Sequence, residues 1–234
     1  MVPLRLLFGL CLLLSLTACP QKEEYPVIVP ISFLVPVTIT PSSPIMQRGD
    51  TLWLEANFSD SLLDRNSGHR YRVRPQDLNL SSGIFYEQLI GIGSQPVGIA
   101  RTFRLVEEVG QAPAGGALTT GFKPLYDGHY YKARIGLIPN KASVTAISLL
   151  LSPKNSADGT NVLDKFIPFI QLPSNSEGRE QKAVLADSFY VINDGQANNF
   201  DLYRQHTKAF ALEPGTPPIQ VIYEQKSTFT VEVK

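Results

Sequence analysis

The run GHYYKARIGLIP, residues 128–139, constrains the fold more than any other stretch. Tyr131, Ala133, Ile135 and Leu137 alternate with Tyr130, Lys132, Arg134 and Gly136. A period of two places all the first set on one side of an extended chain, which is the pattern of a half-buried β-strand. TLWLEANF repeats it, with Leu52, Leu54, Ala56 and Phe58 on one side. STFTVEV does so again, with Phe229, Val231 and Val233 opposed to Thr228, Thr230 and Glu232. SVTAISLLLS is a near-continuous apolar run broken only by Ser and Thr, as a strand covered on both faces would be.

SGIFYEQLIGI, GIARTFRLVEEVG, KFIPFIQL, AVLADSFYVIN and PIQVIYE complete a set of about ten short strands separated by turn residues. This spacing predicts a mostly β fold, an antiparallel β-sandwich-like single domain. In GQANNFDLYRQHTKAF, Phe200, Tyr203 and Phe210 recur near helical spacing after an Asp-Gly turn, which predicts one short helix. No long amphipathic helix and no strand–helix alternation occurs, which excludes helical bundles and doubly wound folds.

Six prolines fall between Pro20 and Pro44. They predict a semi-rigid spacer that leads into VIVPISFLVPVTIT, where Pro30 and Pro36 restrict a strand to a sheet edge or to two short pieces. Residues 19–44 therefore read as a tether with an edge strand, and 45–234 as the β domain.

The chemistry-bearing residues form no recognisable catalytic constellation. His69, His129 and His206 lack paired metal-ligand spacing, and neither a metal nor a cofactor is expected. GIGSQPVG, 91–98, carries neither a nucleophile elbow nor a phosphate loop, and reads as a strand connection. Glu107 and Glu108 are neighbours, so a strand would point them to opposite sides, where they could not act as a hydrolytic pair. KNSADGTNVLDK, 154–165, places Lys154 and Lys165 where a calcium loop needs carboxylates, and reads as a polar turn. With 21 Lys and Arg against 21 Asp and Glu, no basic excess points to nucleic acid. Trp53 is the only tryptophan and alternates away from Leu52 and Leu54. On an open face it could join Tyr130 as a ligand platform for a sugar or an apolar partner surface.

The amino terminus has the order of a secretory signal. Arg5 precedes an apolar run from Leu6 to Leu14, and small residues follow to Ala18. That run is shorter than the roughly 20 residues a spanning helix needs. Leu16-Thr17-Ala18-Cys19 resembles the bacterial lipobox, which implies a signal peptide over 1–18 and a diacylglycerol on Cys19 held in outer-membrane lipid. Cys11 is lost with the signal, so no disulfide is expected. Lys22-Glu23-Glu24, close behind, resembles the lipoprotein export signal of Bacteroidota, which implies display on the cell surface. Asp50-Thr51-Leu52 and Asp60-Ser61-Leu62 resemble the O-glycosylation pattern of the same bacteria, with Ser61, in a polar loop, the better acceptor. GDTLWLEANFSDSLLD, YYKARIGLIPNKASV and DSFYVINDGQANNFDLY resemble segments of a family of small surface lipoproteins of Bacteroidota. That resemblance implies a location and no activity. The expectation is a membrane-anchored, non-enzymatic binding or structural lipoprotein with an outer-membrane protein or glycan as partner. The alternative is a surface hydrolase acting on glycan or peptide, its site assembled from separated strands.

Overall fold

The computed structural model describes residues 25–234 except 77, 79, 92, 116–118, 152–165, 187, 210 and 211. Cys19, Lys22, Glu23, Glu24 and the polar stretch 154–165 lie outside the described residues. Among the described residues there are seventeen strands. They run β1 (Val27–Ile31), β2 (Phe33–Thr40), β3 (Ile45–Met46), β4 (Leu52–Ser59), β5 (Ser61–Asp64) and β6 (Arg70–Arg72). Next come β7 (Ser82–Leu89), β8 (Ser94–Pro96), β9 (Phe103–Val109), β10 (Thr119–Phe122), β11 (Leu125–Tyr126) and β12 (Tyr130–Pro139). The last are β13 (Ser143–Leu150), β14 (Phe166–Gln171), β15 (Gln181–Leu185), β16 (Phe189–Ile192) and β17 (Thr228–Val233).

An eight-stranded sheet has the order β11-β12-β4-β2-β5-β6, with β9 also on β12 and β16 also on β2. A six-stranded sheet has the order β10-β7-β13-β17-β3, with β8 on β7. Their inner faces share one core, as the alternation requires. Leu52, Leu54, Tyr131, Ile135 and Leu137 meet Ile84, Ile147, Leu149, Phe229 and Val231. Rings interlock between the sheets, with Tyr86 5.7 Å from Phe103 and Phe122 edge-on to Tyr190 at 5.7 Å. Each fully buried side chain of this size contributes about 1.5–3 kcal/mol of burial free energy.

The two sheets differ on their outer sides. Thr228 and Thr230 do not face water but are buried, because the Phe200–His206 helix packs on β17. The hydroxyls of Ser148 and Thr228 satisfy each other there at 2.9 Å. PIQVIYE, expected as a strand, is a helical turn over Pro218–Val221 continuing as a π turn over Ile222–Lys226. Pro218 explains the change, since proline at a first helical position loses no hydrogen bond. Among the described residues the large sheet has no such helical cover over β4 and β12, and the outward side chains of Trp53, Glu55, Asn57, Tyr130, Lys132 and Arg134 stay half-buried or exposed.

A third sheet, β1-β15-β14, carries the chain entry. VIVPISFLVPVTIT divides at Ser32 into two strands with different fates. Val27–Ile31 is β1, a short piece at the sheet edge. Val27 donates to Glu180 and Ala186 to Ile31, so Ile28 and Pro30 face away from β15. Pro30 has no donor and its carbonyl accepts from Asn66 Nδ2 at 2.9 Å, which leaves little of that edge open to pairing. β2 is not an edge strand but lies between β4/β5 and β16. Pro36 is tolerated because β5 pairs with Phe33 and Leu34, β4 pairs with Thr38 to Thr40, and the missing N–H falls in the gap between them. Beside β1 and β2 run β15 and β16, parallel to them, with Ser188 Oγ accepting the Phe33 N–H where the register shifts by one.

Candidate functional site

The open face of the large sheet is built by register. Trp53 on β4 lies opposite Gly136 on β12, and a Cβ at Gly136 would come within 2.9 Å of the indole. Glycine thus gives the ring room beside β12. The Arg134 guanidinium stacks over Trp53 at 3.8 Å from the ring centroid, a cation–π contact. Arg134 Nε donates to Glu55 at 2.8 Å, and its Nη1 donates to Glu108. The second contact depends on a bulge. Along β9, Glu107 pairs with Ile135 and Val109 with Arg134, so Glu108 is the extra residue and reaches the guanidinium. Glu107 turns elsewhere and accepts the Ala112 N–H, so the two carboxylates diverge as expected.

Arg134→Ala is expected to shift Trp53 emission to the red, since the ring loses its cover to water. Stability should change little, because these ion pairs are half-exposed and screened by solvent. Emission and melting temperature of the one-tryptophan protein check both; unchanged emission would mean that the guanidinium does not cover the ring.

Tyr130 occupies the same face opposite Ser59, six residues along β12 from Gly136 and therefore about 20 Å from Trp53. The two aromatics do not form one platform. Tyr130 has its own cation, Lys132, at 5.9 Å, and Lys132 also pairs with Asp127 at 2.7 Å. That ammonium and the N–H groups of Tyr130 and His129 hold the Asp127 carboxyl well below the usual carboxylate range.

Of the two glycosylation candidates, only Ser61 lies in a strand. Thr51 is half-buried before β4 and its methyl lies near Gly136. Ser61 is not in a loop; it opens β5, between buried Asp60 and Leu62. Arg72 Nε and the Tyr126 hydroxyl both donate to Asp60 at 2.7 Å, which fixes this corner. Burial pulls the Asp60 carboxyl upward, and those two donors outweigh it, leaving the pKa lowered.

GIGSQPVG contributes β8, which pairs with the end of β7. His206 ends the Phe200–His206 helix with Nδ1 3.0 Å from the Gly91 carbonyl. His69 and His129 lie in turns, their carbonyls accepting from Asp64 and Asp60. Among the described residues no three metal-capable side chains gather, and no helix is long and apolar enough to cross a membrane. Beneath the helical layer, Glu87 and Glu224 both bear on Tyr203 and Tyr223. Burial raises the Glu87 carboxyl and, with those two carboxylates, pushes the Tyr203 hydroxyl up to about 12. Glu224 is buried in the π turn, so this group does not face an open cleft.

A hollow of about 640 Å³ opens between the segment 195–205, Pro44, Ile45 and the outward side of Glu232. Its wall is pinned. Asn193 accepts the Ile39 N–H at 2.7 Å, Asn198 accepts from Thr230 through its carbonyl, and Asn199 Nδ2 donates to the Thr230 carbonyl at 2.9 Å. Asn193, Asp194 and Asn199 hold positive φ of 49°, 56° and 58°, conformations that asparagine and aspartate tolerate better than most residues. The sequence of this stretch predicts only a turn and a helix. Its run of carboxamides, Gln196, Asn198 and Asn199, was the available signal.

No family model matches the chain, and no curated protein matches it.

Proposed function

We propose that the chain is a lipid-anchored, non-enzymatic binding or structural module of the outer membrane, held by Cys19 and displayed outward, which meets its partner through the open face around Trp53. The observation that carries the reading is the asymmetry of the sandwich: helices cover the outer side of one sheet, while the other presents Trp53 and Arg134 assembled between Glu55 and Glu108. Aromatic and arginine side chains supply most of the binding energy at protein interfaces, and a held guanidinium loses less freedom on association. The paired opposite charges suit an outer-membrane protein partner of mixed charge.

The test uses the full chain in intact cells. Palmitate is expected to label the native protein and not Cys19→Ala, and external protease is expected to cleave the native domain. A photo-crosslinking residue at position 53 should join it to one outer-membrane protein, and Arg134→Glu should abolish that adduct. Labelling that survives Cys19→Ala removes the anchor. Protection from protease removes outward display, and an adduct indifferent to Arg134→Glu removes the binding face.

A further inference from the structure

The hollow beside the Phe200–His206 helix has a lining chemistry different from that of the Trp53 face. Gln196, Gln205 and Gln225 are exposed around it, and no hydrogen bond engages their carboxamides among the described residues. Asn198 and Asn199 each spend Nδ2 on a protein carbonyl, which fixes their planes within the wall. Asp201 and Glu232 add carboxylates, and no Lys, Arg or His lines the hollow. The cations that pair with these carboxylates, Arg204 and Lys234, stand outside the wall. Phe200, Leu202 and Ile45 supply apolar ground, Ile45 being 43 % exposed.

Each feature narrows the ligand. An anion would meet two carboxylates and no cation, so phosphates, sulfates and acidic peptides are disfavoured. A purely apolar ligand would strip water from the three exposed carboxamides of Gln196, Gln205 and Gln225 without replacing their hydrogen bonds, at about 1–3 kcal/mol for each group left unpaired. A carboxamide both donates and accepts, and a carboxylate accepts; sugar hydroxyls do both. The hydroxyl-poor C–H face of a pyranose suits a phenyl ring or an aliphatic patch. The volume falls in the range of about 300–1,000 Å³ typical of small-molecule sites. The wall is also preorganised: its turn is bonded to β2, to β17 and to the π turn, so little ordering is left for binding.

We infer that this hollow is a binding site for a neutral saccharide of two or three units. Gln196, Gln205 and Gln225 make the adaptable hydrogen bonds, and Phe200 with Ile45 forms the floor. The site is separate from the Trp53 face and does not depend on the protein partner proposed there.

The full-length lipidated protein, in a detergent without a sugar headgroup, tests this. The probes are neutral di- and trisaccharides of glucose, galactose, mannose and N-acetylglucosamine, with their sulfated and sialylated counterparts, read by saturation-transfer NMR and calorimetry. At least one neutral probe should bind, and the Gln205→Ala/Gln225→Ala double variant should weaken it tenfold or more. Both side chains are exposed, and an unchanged melting temperature shows that the fold is intact. Arg134→Ala should leave the affinity as it was. Absence of binding to every neutral probe at millimolar concentration overturns the inference. So does binding that ignores the glutamine changes, that prefers the anionic counterparts, or that is lost with Arg134, which would move the sugar to the open face.

Discussion

Replacing Asp64 with alanine is expected to cost about 3–5 kcal/mol of folding stability, a large share of what a domain of this kind has. The carboxylate is fully buried at the end of β5. One oxygen accepts the N–H of Ser32 at 2.8 Å and of Asn66 at 3.2 Å; the other accepts the N–H of Ser67 at 2.9 Å and its hydroxyl at 2.6 Å. Alanine strands the buried N–H of Ser32 at the joint between β1 and β2 and takes their acceptor from the Asn66 and Ser67 N–H groups and the Ser67 hydroxyl. Urea unfolding of the two proteins at pH 7 measures the loss.

The same group makes stability depend on pH in a definite direction. Burial pushes the Asp64 carboxyl up, but the donors from Ser67, Ser32 and Asn66 outweigh it, and the folded pKa is lowered. A depressed folded pKa stabilises the native state above the unfolded value of about 3.9 and loses that contribution as pH falls through the folded one. The gap between wild type and Asp64→Ala should therefore narrow when unfolding is repeated near pH 3. A gap of equal size at both pH values would show that the charge of Asp64 contributes nothing.

Gly110→Ala carries the second large effect. Gly110 has a φ of +80°, and a Cβ there would lie 2.8 Å from the Lys123 carbonyl oxygen, a backbone atom that cannot swing aside. Gly49 has a φ of +95° with open space around it, so alanine at that position meets only the backbone strain. The strain alone is worth about 1–2 kcal/mol. Adding the clash should bring Gly110→Ala to about 2–4 kcal/mol. Equal losses for the two variants in parallel denaturant titrations would remove the close approach as a cause.

What the sequence shows plainly is local. Leu52, Leu54, Tyr131, Ile135 and Val231 reveal their inward direction because a strand repeats every two residues, whatever it pairs with. The sandwich and the Phe200–His206 helix follow from that pattern and its turns. PIQVIYE misleads because a short apolar run suits a strand or a helix equally, and the proline at its head is the only discriminating residue. Pro36 misleads because proline excludes a strand interior only where the missing donor is needed, and the divergence of β4 from β5 is a property of register.

The site lies further from view. Trp53 and Arg134 meet because Trp53 falls opposite Gly136, two residues from Arg134 along β12, and no spacing within either strand announces it. The rim of the hollow comes from Ile45, Gln196, Gln225 and Glu232, segments that only the folded topology joins. Ser61 reads as a loop residue because Asp60 breaks the alternation between β4 and β5, although both continue into paired strands.

The parallel course of β1 beside β15 also bears on how the molecule yields to force. A pull on the chain at Tyr25 acts along β1, and the five residue pairs from Val27–Gln181 to Ile31–Leu185 lie side by side in that direction. They are loaded together, in shear, and none is peeled open ahead of the next. Since β15 leads on toward β16 and the sandwich, a load applied there would pass into the core.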